Sequence, residues 1–301
     1  MGTSVSRLQR KPSSLLPVQE KECDIDRSTL TTSSQHSDPP TSLENSNYWL
    51  PKTYEEQDRL MGQHFAIKEL FGGNVLQNAA RVLPLDEGVM VLDEMATDYP
   101  NCEVYGIDIY PTYPQTIRPP NSVFMLADAI DGLPFADNSF DLVQVRLMVA
   151  AFKVEDWPRV IADCVRILKP GGVLQMIEPD YRDSGGGACQ LLVRTLIQVC
   201  EQRGQNPRIG SCLETLMRRA GLLILDRMAR ELDHAHGGKL VAEWTYDWRS
   251  IAATSRPLFE QTIGLSGDKY TAFLKDIEPS MKQYHFKSFG YAVTGRKPMV
   301  L

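Results

Sequence analysis

The sequence predicts an α/β fold built on a mainly parallel sheet, and three observations carry that expectation. Short β-rich runs recur: Glu103-Val-Tyr-Gly-Ile107 before Asp108, Val123-Phe-Met-Leu126 before Ala127-Asp128, and Phe140-Asp-Leu-Val-Gln-Val-Arg146. A helical period follows them, with Val160, Ile161, Cys164, Val165 and Leu168 on one face, closed by Lys169-Pro-Gly-Gly172 before the next run, Val173-Leu-Gln-Met-Ile177. Strands alternating with helices require a sheet covered on both faces, and 301 residues with 43% hydrophobic content supply one large core or two modest ones.

Taken in order, residues 1–46 hold 10 Ser, 5 Thr and 4 Pro and no Phe, Trp or Tyr, so they cannot offset the entropy of ordering and are expected to form a flexible tail. An N-terminal helical segment is expected over 47–88. Leu60, Phe65, Ile67 and Leu70 give Thr53–Leu70 an apolar face, and Thr53 with Glu56 forms a capping-box pattern. Phe71-Gly-Gly-Asn74 stops that helix, and a second runs from Val75 to Val82. The α/β core is expected over 89–184, where Val89–Asp93 either keeps the central strand, the favoured reading because its loss would open the hydrophobic middle, or forms a helix at the cost of that strand. Residues 185–301 follow as a helical cap with two further strands, Leu222–Asp226 and Ser288–Thr294; Gly185-Gly-Gly187 reads as a hinge beneath that cap.

Composition narrows the partners. A formal net charge of −6 gives no basic footprint for nucleic acid, so none is expected. Six scattered cysteines without C-x-x-C spacing suit packed thiols in the cytoplasm, and His234-Ala-His236 has no third ligand at a useful spacing, so no metal is expected. No apolar run reaches the roughly 18–20 residues of a membrane span. Met1-Gly2-Thr-Ser-Val-Ser6 matches an N-myristoylation pattern, with Arg7, Arg10 and Lys11 as a basic second signal for peripheral membrane contact.

Ligands of open α/β sheets bind beyond the carboxyl ends of the strands, so the residues at those ends are the candidates. Asp108 suits the hydroxyls of a ribose, Asp128 an exocyclic amine, and Ala129 leaves room for a ring. His64, Arg146, Glu178, Asp180 and Tyr181 are the candidates to face a second ligand.

The ordered set Gly106-Ile-Asp108, Ala127-Asp128, Leu133-Pro-Phe-Ala-Asp-Asn-Ser-Phe-Asp141 and Leu168-Lys-Pro-Gly-Gly172 resembles class I S-adenosylmethionine-dependent methyltransferases. Tyr48-Trp-Leu-Pro51, Asp98-Tyr-Pro100 and Trp157-Pro158 narrow the resemblance to the fungal LaeA-like methyltransferases, over about residues 48–295. The resemblance implies a Rossmann-like seven-stranded sheet with its last strand antiparallel. It also implies S-adenosyl-L-methionine as cofactor, held by Asp108, Ile109, Asp128, Ala129 and Arg146, and a small-molecule methyl acceptor. One departure stands out. The glycine-rich loop that should follow Val91-Leu-Asp93 is missing, and Glu94-Met-Ala-Thr97 stands in its place. Weakened cofactor binding is therefore expected, or a catalytically dead descendant that binds a protein partner.

Overall fold

The computed structural model describes residues 49–51, 53–92, 98–110 and 119–299. The tail at 1–46, with Gly2 and Cys23, lies outside the described residues, as does Asp93-Glu-Met-Ala-Thr97. The described chain forms β1 (Met90–Leu92), β2 (Glu103–Asp108), β3 (Ser122–Leu126), β4 (Phe140–Arg146), β5 (Leu168–Pro179), β6 (Leu223–Asp233) and β7 (Lys287–Arg296). These make one seven-stranded sheet in the order β3-β2-β1-β4-β5-β7-β6. β7 runs antiparallel to both its neighbours, and the remaining pairs are parallel. The sheet thus draws on both the 89–184 and 185–301 stretches.

The order reverses between β1 and β4, which sets the ligand crevice at their carboxyl ends. Helices α3 (Asp156–Ile167), α4 (Gly187–Gln202) and α5 (Ile209–Arg219) bury Trp157, Ile161, Leu192, Leu213 and Met217 in the large core with Phe140, Val143 and Leu174 of the strands. On the opposite face, α2 (Gln77–Val82) sets Ala79 against Val91, Val104, Leu142 and Val173. Among the described residues, neither the β1–β2 nor the β2–β3 connection contains a helix. Residues 93–102 alone join β1 to β2, shorter than the dozen or so a parallel crossover usually takes.

The motif loop between β3 and β4 is held by charge. Arg166 of α3 donates to the carbonyls of Phe135 at 2.7 Å and Leu133 at 3.0 Å and pairs with Asp163 at 2.6 Å. Asp141 accepts from the β1 backbone at Met90 (3.0 Å) and from Lys169 (2.7 Å), stitching β1 to β4. Asp141, the last residue of that motif, therefore does structural work. Phe135 and Phe140 meet edge to face at 4.7 Å beneath the loop.

Three expectations are corrected. Helix α1 (Tyr54–Phe71) has the predicted cap, Thr53 Oγ1 accepting from the Glu56 amide, yet only part of its apolar stripe is buried: Ile67 is in the core and Leu70 packs against it, whereas Leu60 and Phe65 are exposed. Phe65 is 56% exposed, whereas Glu56 and Arg59 are 2% exposed, because α6 (Lys239–Thr254) offers α1 a charged partner, Asp247. Leu168 does not end a helix; it opens β5, paired with Phe140 ahead of a register shift that absorbs Pro170-Gly-Gly172. Gly185-Gly-Gly187 is a tight seat and not a hinge: a Cβ on Gly185 would lie 2.6 Å from Cys189 Sγ, and one on Gly186 2.9 Å from the Tyr284 ring. Cys102, Cys164, Cys189 and Cys200 are buried free thiols, as expected for packed cysteines.

Candidate active site

Two neighbouring strand tips carry the acidic pair. Asp108 closes β2 and is half-buried; its Oδ1 accepts the Tyr110 amide at 2.9 Å. The register Asp108↔Leu126 puts Asp128 two residues beyond the end of β3, exposed, with Oδ1 accepting the Ile130 amide at 2.8 Å. Both are thus oriented by turns of their own backbone. Ile109 lies exposed beside Asp108, and Ala129 is half-buried beside Asp128. At the tip of β4, Arg146 Nη1 meets His64 Nδ1 of α1 at 3.2 Å, so these two candidates are brought together.

The remaining candidates surround a cavity over the ends of β4 and β5. Its volume is about 40 Å³, and it lies between α1, α6 and the start of β7. Glu178 lines it from β5, buried, with its two oxygens accepting the amides of Met148 (2.8 Å) and Val149 (3.0 Å) at the first turn after β4. Burial pushes its carboxyl up to about 8, against the opposing pull of the two N–H groups. Asp180, also buried, is clasped by Arg182 at 2.6 and 2.9 Å and by Arg208. It is neutralised by two guanidinium groups and serves the wall. Tyr181 meets Trp248 at 5.7 Å between ring centroids, and burial raises its hydroxyl well above the usual range.

Sequence reasoning missed the α1–α6 side of this cavity. Arg59 chelates Glu56 at 2.6 and 2.8 Å and reaches Asp247 at 2.5 Å, while Gln63 donates to the other Asp247 oxygen at 3.1 Å. Burial raises both carboxyls, and Arg59 opposes it. The spacing Glu56, Arg59, Gln63 is a polar stripe at helical period, a signal in the sequence, but a polar stripe normally faces water. His234 is a buried ring held at Nδ1 by Thr245 (2.9 Å) and at Nε2 by Ser288 (2.7 Å), and Ser288 also accepts from Trp248 Nε1 at 2.8 Å. No group of metal-ligating side chains occurs among the described residues.

A family profile described as "Methyltransferase domain" matches residues 88–176. "N-methyltransferase verN" of Clonostachys rogersoniana is 24% identical over 266 residues, covering 81% of this chain and 91% of that protein. "Secondary metabolism regulator laeA" of Coprinopsis cinerea is 31% identical over 146 residues, covering 44% of this chain and 36% of that one. Among solved structures, phosphoethanolamine N-methyltransferase 2 of Haemonchus contortus aligns with TM-score 0.46 at 18% identity, over 81% of this chain and 60% of its own. The matched methyltransferase domain and the seven-stranded order with β7 antiparallel support a class I S-adenosylmethionine-dependent methyltransferase. Within that class the chain resembles the fungal LaeA-like group and the N-methyltransferases of fungal secondary metabolism.

Proposed function

We propose that this chain methylates a nitrogen of a small-molecule acceptor held in the cavity over β4 and β5. The observation that carries the reading is the cavity's place: it abuts the strand ends beside the switch point, where a second ligand meets the cofactor in this sheet topology. The residues suit the adenosine half of the cofactor, since Asp108 and Asp128 supply two carboxylates on adjacent tips and Ala129 stays small. They suit the methionine half less well, because no glycine lies between Gly88 and Gly106 to let the backbone approach it. Cofactor affinity is therefore low relative to a chain with the full loop.

When bound, S-adenosylmethionine supplies an electrophilic methyl group on a sulfonium. The protein's part is to align the acceptor lone pair with that methyl, to exclude water, and to let the nitrogen lose its proton. Asp108, Asp128 and Ala129 would hold the cofactor's adenosine half, and the bound cofactor would supply the methyl to the acceptor nitrogen and keep the released electron pair on its sulfur. Glu178, Asp180 and Tyr181 form the acceptor wall, and the joined pair His64 and Arg146 stands at the tip of β4.

Titration calorimetry with S-adenosylhomocysteine tests the reading. Saturable binding that is lost in Asp108→Ala is the expected result, and a glycine-rich insertion after Asp93 should tighten it. A folded wild-type protein that binds nothing would instead favour a non-catalytic protein-binding descendant. We also propose that Gly2 is myristoylated and brings an otherwise cytoplasmic protein to membranes; an intact mass without the acyl group would refute that.

A further inference from the structure

We infer that the cavity is a recognition site for an organic cation or protonated amine carrying a nearby hydrogen-bond acceptor, which deepens the N-methyltransferase reading and rests on it. Charge on the wall comes first. One buried guanidinium, Arg59, serves two buried carboxylates, Glu56 and Asp247, and Asp247 faces the cavity. Glu178 lines the same space with backbone amides as its only hydrogen-bond partners and with no cation beside it among the described residues. The two cations of the lining are already engaged, Arg182 with Asp180 and Lys287 with Glu231. The Glu56–Arg59–Asp247 group therefore carries one buried carboxylate more than its guanidinium compensates, and a positive ligand beside Asp247 restores the balance.

The aromatic lining points to the same chemistry. Trp244, Trp248, Tyr181 and Phe71 line the cavity, an arrangement that favours a cation over a neutral ligand of equal size. Phe289 lines it too, but its face is taken by Arg182, whose guanidinium carbon sits 4.2 Å from the ring centroid. The wall is also preorganised: Trp248 is fixed through its N–H to Ser288, and Ser288 in turn to the buried His234.

An orphaned donor adds the second element of the ligand. The indole N–H of Trp244 is buried and has no acceptor among the described residues. A buried unpaired N–H is costly, and a hydroxyl, ether or carbonyl oxygen on the ligand removes that cost. An amine with such an oxygen a few bonds away answers both features at once.

The test uses choline and its uncharged carbon isostere, 3,3-dimethylbutan-1-ol, titrated into the whole protein without cofactor and followed by tryptophan fluorescence and calorimetry. Choline is expected to bind at least about tenfold tighter, the scale of a desolvated cation–π contact. Asp247→Asn should erase much of that preference while leaving Arg59 paired with Glu56. Trp244→Phe should weaken both probes through loss of the N–H and keep the preference for charge. Equal affinity for the two probes, or a preference unchanged in Asp247→Asn with native circular dichroism, would overturn the inference. The two readings fail separately: labelled methyl transfer to a neutral acceptor with no choline preference would sink the cation site alone, and choline preference without S-adenosylhomocysteine binding would sink the methyltransferase reading alone.

Discussion

Acid should destabilise this protein through His234, and the size of the effect follows from where the ring sits. Its two nitrogens are hydrogen-bonded to Thr245 and Ser288 in a buried setting that holds the ring neutral, and burial lowers its pKa from 6.5 to about 4 despite the opposing charge of Asp233. The folded pKa lies below the unfolded one, so the unfolded chain binds the proton more readily between pH 6.5 and 4. The stability that depends on a neutral His234 is therefore present above pH 6.5 and lost as pH falls toward 4. At roughly 1.4 kcal/mol per pH unit, the loss is about 3 kcal/mol. Urea unfolding of the wild type and of His234→Gln over this pH range isolates the contribution, because the carboxylates titrate in both. The wild type should lose about 3 kcal/mol relative to the variant. Parallel pH curves would refute the reasoning. The same acid step should loosen Trp248 through Ser288, visible as a red shift in tryptophan emission.

Further substitutions test other parts of the design. Arg59→Met leaves Glu56 and Asp247 buried without a counter-charge and should cost about 3–5 kcal/mol in urea unfolding, with much of that recovered in the double variant Arg59→Met, Asp247→Asn. Gly106→Ala places a Cβ 2.5 Å from the Phe124 ring in the middle of β2 and should cost about 1–3 kcal/mol, read as a lowered Tm. Lys297 Nζ donates to the carbonyls of Val165 and Leu168 at 2.8 and 2.7 Å where α3 gives way to β5; Lys297→Met should cost about 1–2 kcal/mol, and an unchanged urea midpoint would show that water replaces it.

The strands were legible because each is a short local pattern. Phe140–Arg146 and Glu103–Asp108 read directly from β-rich runs with acidic or charged ends, and their tips placed Asp108, Asp128, Glu178 and Asp180 on one rim. β6 was less legible: Leu222–Asp226 reads as a strand, but its extension to Asp233 passes through Arg227, Arg230 and Glu231, whose charges disguise an edge strand paired with β7 along its whole length. Helix α1 was legible as a helix and only partly as to its face, since propensity and capping are local while the burial of Glu56 and Arg59 beside Ile67 depends on α6.

By itself the sequence determined the alternation of strands and helices, the acidic tips of β2 and β3, the cap of α1 and the absence of a glycine loop after β1, because each is set by residues close together in the chain. Only the tertiary structure decided which charges are compensated. Arg59 and Asp247 are 188 residues apart, Arg182 and Tyr291 are 109 apart, and His234 reaches Ser288 across 54. Desolvation acts on a group according to everything packed around it, so the difference between Asp180, paired with two guanidinium groups, and Glu178, whose carboxyl burial pushes up, two residues along the same strand end, exists only in three dimensions.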